Sequence, residues 1–186
     1  AVTSIEDSAF RNCLRLTNIE VKDSHPAYAR EGGMLFNKTK DVLLSYPSAG
    51  GDITIPATVK KIAQGAFAGS NVHKLRMTEG VTTIEANAFT QCKELREVFI
   101  PKSVTAIGSG TFGGCQNLTV MTFYGDAPAT AKDVFKNESD SILRDSQAKI
   151  HYNLNNKTWK DEKVEFKDGP ILTYWIATEQ GSSTFE

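Results

Sequence analysis

Apolar positions recur along this chain in one fixed order. A small aliphatic residue is followed by Ile, then a pair ending in Phe, then Cys or Ser, then three more apolar residues. One copy reads Val81, Ile84, Ala88-Phe89, Cys92, Leu95, Val98 and Ile100. The next reads Val104, Ile107, Thr111-Phe112, Cys115, Leu118, Met121 and Phe123, every position shifted by 23 residues. An earlier copy, Val59, Ile62, Ala66-Phe67, Ser70, Val72, Leu75 and Met77, lacks one residue between Ser70 and Val72. The chain opens on a fourth: Val2, Ile5, Ala9-Phe10, Cys13, Leu16, Ile19 and Val21. Self-similarity at 22 to 23 residues marks a solenoid, in which each coil buries its apolar edge only against its neighbours.

The last apolar positions of each copy alternate with others. In Val98-Phe99-Ile100 and Met121-Thr122-Phe123 this period of two predicts a strand, with Val98 and Ile100 inward and Phe99 outward. The predicted ladder runs 19–21, 53–55, 75–77, 98–100 and 121–123. Pro101, Gly80 and Gly125 stand where turn chemistry ends a strand. The segment before each strand, such as 85–92, is too short for a full helix. Its small residues and single Phe predict one or two helical turns against the back of the coil. The expected fold is therefore α/β: a solenoid of right-handed coils, with a parallel strand ladder on one face and short helical turns or loops on the other.

The period fails between Val21 and Ile53. Met34-Leu35-Phe36 and the apolar run from Val42 to Tyr46 are joined by a polar connection at 37–41, which predicts a β-hairpin insertion over about 24–52. Ile53-Thr54-Ile55-Pro56 then falls back in phase with Val98-Phe99-Ile100-Pro101. After Phe123 the pattern fades: Phe135 reads as a last, degenerate Phe, 148–152 alternates like one more strand, and Trp159 follows in a polar stretch. Terminal repeats must cover the open end of a core. Residues 127–176 are accordingly expected to form a C-terminal cap, closing one repeat domain over 1–176, with 177–186 as a tail.

Size and composition agree with one folded domain: 186 residues, 40% hydrophobic and 23% charged, which is not the balance of a disordered chain. The formal net charge of −1, without a dense basic block, predicts no attraction to nucleic acid or anionic lipid. The three cysteines, Cys13, Cys92 and Cys115, each follow the recurrent Phe by three positions. An odd count locked to the apolar pattern points to small buried thiols, with Ser70 in the equivalent slot of another copy. A Cys92–Cys115 bridge between adjacent coils is the alternative reading. No second Cys or His stands at a ligand spacing, so no metal is expected.

Catalytic chemistry finds no foothold in the sequence. His25, His73 and His151 belong to different coils and none has an acid or second ligand at motif spacing, so surface or packing roles are expected. No nucleophile elbow, phosphate loop or paired-cysteine zinc signature occurs, and Gly32-Gly33 and Gly50-Gly51 read as turn punctuation. Glu138, Asp140 and Asp145 form a loose acidic run, read as a solvated loop over a calcium site because the EF-hand spacing and its Gly are missing. No catalytic residue and no cofactor is expected.

The outward strand positions are more informative. One column across the ladder is Asn18, Asp52, Lys74, Glu97 and Val120; the next is Glu20, Thr54, Arg76, Phe99 and Thr122, and Tyr124 continues the alternation past Phe123. Arg and aromatic residues are typical interface anchors. Lys74, Arg76, Glu97, Phe99, Val120, Thr122 and Tyr124 are thus the candidate partner-binding residues, with an exposed Phe99 beside Val120 and Tyr124 as a small apolar patch. The plainer reading is that strands favour such residues anyway, or that a neighbouring domain covers them.

Assembled, the motifs resemble the BspA-type leucine-rich repeats of bacterial surface proteins. The resemblance rests on Ile55 to Ile62 with Ala66-Phe67, and on Ile100 to Ile107 leading to Thr111-Phe112 and Cys115. Gly33 to Asn37 with Leu43 to Pro47 is similar to a hairpin insertion such proteins carry, and Phe123 to Pro128 with Ile150-His151-Tyr152 and Trp159 to their usual ending. It implies a non-enzymatic protein-interaction or adhesion module of a secreted or cell-surface protein, whose partner is a protein or glycan on host or neighbouring cells. The alternative is a structural spacer or scaffold repeat packing against other domains of a longer chain. This segment has neither a membrane span nor a charged-then-apolar leader, so no direct membrane insertion is expected of it and any signal peptide is expected to have been removed.

Overall fold

The computed structural model describes residues 2–11, 13, 15–46, 50–130, 134, 149–152 and 175–177. Three strands, β1 (Tyr28–Glu31), β2 (Met34–Asn37) and β3 (Val42–Ser45), run antiparallel in succession. Each coil that follows contributes one longer strand and one of two residues. These are β4 (Gly50–Ile55) with β5 (Lys61–Ile62), β6 (Asn71–Met77) with β7 (Thr83–Ile84), β8 (Glu97–Ile100) with β9 (Ala106–Ile107), and β10 (Val120–Phe123) with β11 (Ala129–Thr130). Two more strands, β12 (Lys149–Tyr152) and β13 (Trp175–Ala177), extend the longer series. The longer strands form one parallel sheet in the order β13-β12-β10-β8-β6-β4. The short ones join the antiparallel group in a second sheet, β1-β2-β3-β5-β7-β9-β11. The solenoid thus has two sheeted sides where the repeat predicts one.

Register follows the repeat. Ile53 pairs with Leu75, Leu75 with Val98, Val98 with Met121 and Met121 with Ile150, so the inward apolar column of the sequence is a physical column in the ladder. A slip of one residue would turn every one of these side chains to water, which is why a half-buried sheet specifies its register strongly. Behind the sheets the recurrent Phe residues stack. The Tyr46, Phe67, Phe89 and Phe112 rings follow one another at centroid distances of 5.2, 4.8 and 5.6 Å, and all three Phe side chains are fully buried. Tyr46, at the end of the 24–52 segment, leads this stack where the repeat order would place Phe10, and its N–H donates to the Ala66 carbonyl at 2.7 Å.

Of the expected helical turns or loops it is the loops that form: among the described residues there is no helix, and 86–91 is a run of turns, so the fold is a β-solenoid rather than α/β. The reason lies in the backbone. Two residues before each recurrent Phe, φ is positive at Ser8 (63°), Gly65 (67°), Asn87 (57°) and Gly110 (63°); two residues after, it is positive at Gly69 (75°), Gln91 (60°) and Gly114 (79°). Left-handed residues flanking the Phe interrupt any right-handed helix. The turns instead donate from coil to coil, Phe67 N–H to the Ala88 carbonyl (2.8 Å) and Phe89 N–H to that of Thr111 (2.9 Å).

The cysteine slot also has a polar logic. Cys92 Sγ donates to the Phe67 carbonyl and Cys115 Sγ to that of Phe89, each at 3.1 Å, while Ser70 Oγ lies 3.4 Å from Cys92 Sγ. The position wants a small donor that can satisfy a buried carbonyl one coil back. Burial pushes the Cys115 thiol well above its ordinary value and keeps the proton on sulfur. Cys92 and Cys115 are buried free thiols, and no bridge joins them.

The first copy departs from expectation. Residues 19–21 form no strand, and the longer-strand sheet begins at β4. Instead of continuing the outward column, Asn18 accepts a bond from the Arg30 guanidinium on β1 at 2.6 Å, because the 24–52 segment comes between this coil and the next. Cys13 is exposed, not buried. Phe135, Trp159, the acidic run Glu138, Asp140 and Asp145, most of the expected cap and the tail beyond Ala177 lie outside the described residues.

Candidate partner-binding face

The parallel ladder sets the outward residues in two rows. In the first, Asp52, Lys74, Glu97 and Val120 are directly paired across β4, β6, β8 and β10. In the second, Thr54, Arg76, Phe99, Thr122 and His151 are paired across β4 to β12. Adjacent parallel strands lie about 4.8 Å apart, so long side chains in one row reach the next strand. Lys74 Nζ sits 2.8 Å from Glu97 Oε2. Both groups are more than a third exposed, and such a pair adds little stability; it orients the two side chains.

Phe99 is the centre of the face. The Arg76 guanidinium lies 4.6 Å and the Lys74 ammonium 5.1 Å from its ring centroid, inside the range of cation–π attraction. Phe99 is therefore half-buried rather than exposed, and so are Val120 and Tyr124; the bare apolar patch expected from the sequence is a ring covered by two cations. Thr122 is also corrected. It is buried, at 6% exposure, because Phe99 and His151 flank it on the neighbouring strands. Tyr124 continues from β10, its N–H donating to the Ile100 carbonyl at 3.0 Å. Lys74, Arg76, Glu97 and Phe99 thus form one connected group, with Val120 on the next strand, Tyr124 just past that strand's end and Thr122 as its floor. Asn18 and Glu20 are not in these rows.

Two features escape the sequence reading. Glu79 accepts from the backbone N–H groups of Lys102 and Ser103 (3.2 and 3.1 Å) while Ser103 Oγ accepts from Gly80 N–H (3.0 Å), clamping consecutive coils at the strand ends. On the second sheet, a shallow depression of about 480 Å³ is lined by Thr83, Glu85, Ala86, Ala106, Gly108 and Ala129 among others. Its signal in the sequence is a shrinking outward column, Lys61, Thr83, Ala106 and Ala129. Glu85 at its side is held by Lys61 (2.6 Å) and by Gln64 N–H (3.1 Å). Among the described residues no three His, Cys, Asp or Glu side chains converge as metal ligands.

The family model of the BspA-type leucine-rich-repeat region matches this chain in six copies, over residues 1–39 and 46–161. A crystal structure of a leucine-rich repeat protein from Eubacterium ventriosum is 34% identical, with a TM-score of 0.65 over 82% of this chain. That of the pneumococcal vaccine antigen PcpA is 22% identical, with a TM-score of 0.49 over 78%. The chain spans 40% of the first protein's length and 46% of the second's. No curated protein matches it. With its repeats matched over most of its length and its columns stacked in the order those repeats dictate, the chain belongs to the BspA-type leucine-rich-repeat family.

Proposed function

We propose that this chain is a non-enzymatic recognition module of a secreted or cell-surface bacterial protein, binding a protein or glycan of host or neighbouring cells through the face of the longer sheet. One observation carries the reading. Arg76 and Lys74 are held on the Phe99 ring in the middle of the longer sheet, so an anchor of the type that dominates interfaces is already in place before any partner arrives. Extended repeat surfaces suit broad contact of this kind, and BspA-type repeats are associated with surface proteins. The half-buried Val120 and Tyr124 supply adjoining apolar area, and Glu97 fixes Lys74 in place.

The test is the double variant Arg76→Ala with Phe99→Ala, assayed for binding to immobilised host extracellular-matrix and cell-surface extracts. Binding is expected to fall at least about tenfold, the effect of losing roughly 1.4 kcal/mol at an interface, while thermal unfolding changes little. Unaltered binding by a folded double variant would remove this face and favour the spacer reading, in which the sheet packs against other domains.

A further inference from the structure

We infer that the open edge of β4 is a docking site for an extended peptide segment of a partner protein, added as a further parallel strand with a basic residue beside Asp52. β4 stands at the end of the longer sheet. The edge lies inside the chain, where the repeat would seat residues 19–21, but those form no strand, and Asn18 beside them is bonded to Arg30 of β1. Among the described residues no backbone bond joins 17–22 to Gly50–Ile55. The flank is correspondingly open to water: Ile53 is half-buried, whereas Leu75, Val98 and Met121 in its column are fully buried. Ile55 is fully buried, so the open stretch runs from Gly50 to Thr54.

The rest of the ladder identifies the groups that face this edge. Val120 N–H donates to the Arg96 carbonyl (3.1 Å) and Tyr124 N–H to that of Ile100 (3.0 Å), so these alternate residues turn their backbone groups toward the preceding coil, and the period of two places Thr122 with them. Asp52 and Thr54 occupy the rows of Val120 and Thr122, so their N–H and C=O groups are the ones presented at the edge. Such a row is a template for another strand. Charge selects the occupant. Asp52, Lys74 and Glu97 alternate in sign along their row, and Lys74 pairs with Glu97. Asp52 has no ion pair among the described residues. A cation in the next place continues the alternation, whereas an acid there would meet a like charge. None of this depends on the Arg76–Phe99 group.

The experiment adds to the full chain a synthetic peptide with the sequence of β6, residues 71–77, which sets Lys74 beside Asp52 and Leu75 beside Ile53 on the other side of β4. A second peptide carries Glu in place of that lysine. Amide exchange followed by nuclear magnetic resonance reads the edge. In the free chain the Asp52 and Thr54 N–H groups are expected to exchange fast, and the lysine peptide to slow both, binding at least about tenfold more tightly than the Glu peptide. Asp52→Lys, at an exposed position, is expected to reverse that preference. Slow exchange at Asp52 and Thr54 in the free chain would overturn the inference, giving the edge to residues 17–22 if independent of concentration and to a second copy if it rises with concentration. No protection by either peptide at millimolar concentration would overturn it as well. So would binding that Asp52→Lys leaves unchanged, which places the contact elsewhere.

Discussion

Truncating Phe89 tests the idea that one continuous ring column holds the coils together. Phe89 is fully buried and has ring neighbours on both sides, Phe67 at 4.8 Å and Phe112 at 5.6 Å. Phe89→Ala removes the whole ring from a site that cannot collapse easily, because the coils above and below are pinned by their own backbone bonds. Such substitutions cost about 3–5 kcal/mol, of which the two ring contacts account for roughly 0.5–1.5 kcal/mol each. For a chain of this size, about 2–4 °C is lost per kcal/mol, so the melting temperature is expected to fall by roughly 6–20 °C. Phe89→Leu restores apolar volume without the ring and should lie between the two. Urea unfolding followed by far-ultraviolet circular dichroism measures both variants. Contacts in a solenoid pass only between neighbours, so Phe89→Ala should also lower the slope by letting the two sides unfold separately. A loss below about 1 kcal/mol for Phe89→Ala would refute the ring column as a source of stability.

Two further outcomes follow from the close stacking of coils and from the turn at 37–41. A Cβ on Gly108 would collide with the backbone N of Ala86, and would stand 2.8 Å from both Ala86 Cα and the Glu85 carbonyl carbon, so no side chain can move aside; Gly108→Ala is expected to cost about 1–3 kcal/mol, read as a lower urea midpoint. Bonds from Thr39 Oγ1 (2.5 Å) and Asn37 Nδ2 (2.6 Å) hold the Asp41 carboxyl below the usual carboxylate range. A depressed carboxylate stabilises the fold above its unfolded value and loses that contribution as pH falls through its folded value, so acid should loosen this turn, and Asp41→Asn should flatten the low-pH limb of amide exchange at Val42, whose N–H bonds to Asn37 Oδ1.

Much of the scaffold was legible because the repeat encodes it twice. The 22-to-23-residue shift names which positions face inward, and stacking puts equal positions side by side, so the strand rows of β4 to β10 could be written down before any coordinates. The helical turns misled because small residues around a Phe are compatible with a helix; what forbids it is positive φ at Asn87 and Gln91, which the sequence signals only through Gly65, Gly69, Gly110 and Gly114 at the equivalent positions of other coils. The first copy misled for a different reason. Its residues match the pattern, yet a coil is buried only where other coils lie against it; the 24–52 segment separates this coil from the next, and Cys13 and Ala9 are exposed.

The candidate face divides along the same line. Which side chains point outward is a property of a two-residue period and is contained in the sequence. That Lys74 and Arg76 both settle on Phe99, that Glu97 takes the Lys74 ammonium, and that Thr122 sinks between Phe99 and His151 depends on distances between residues 23 to 29 apart in the chain. Local periodicity determines the register of a parallel ladder; only the ladder, once formed, decides which long side chains meet upon it.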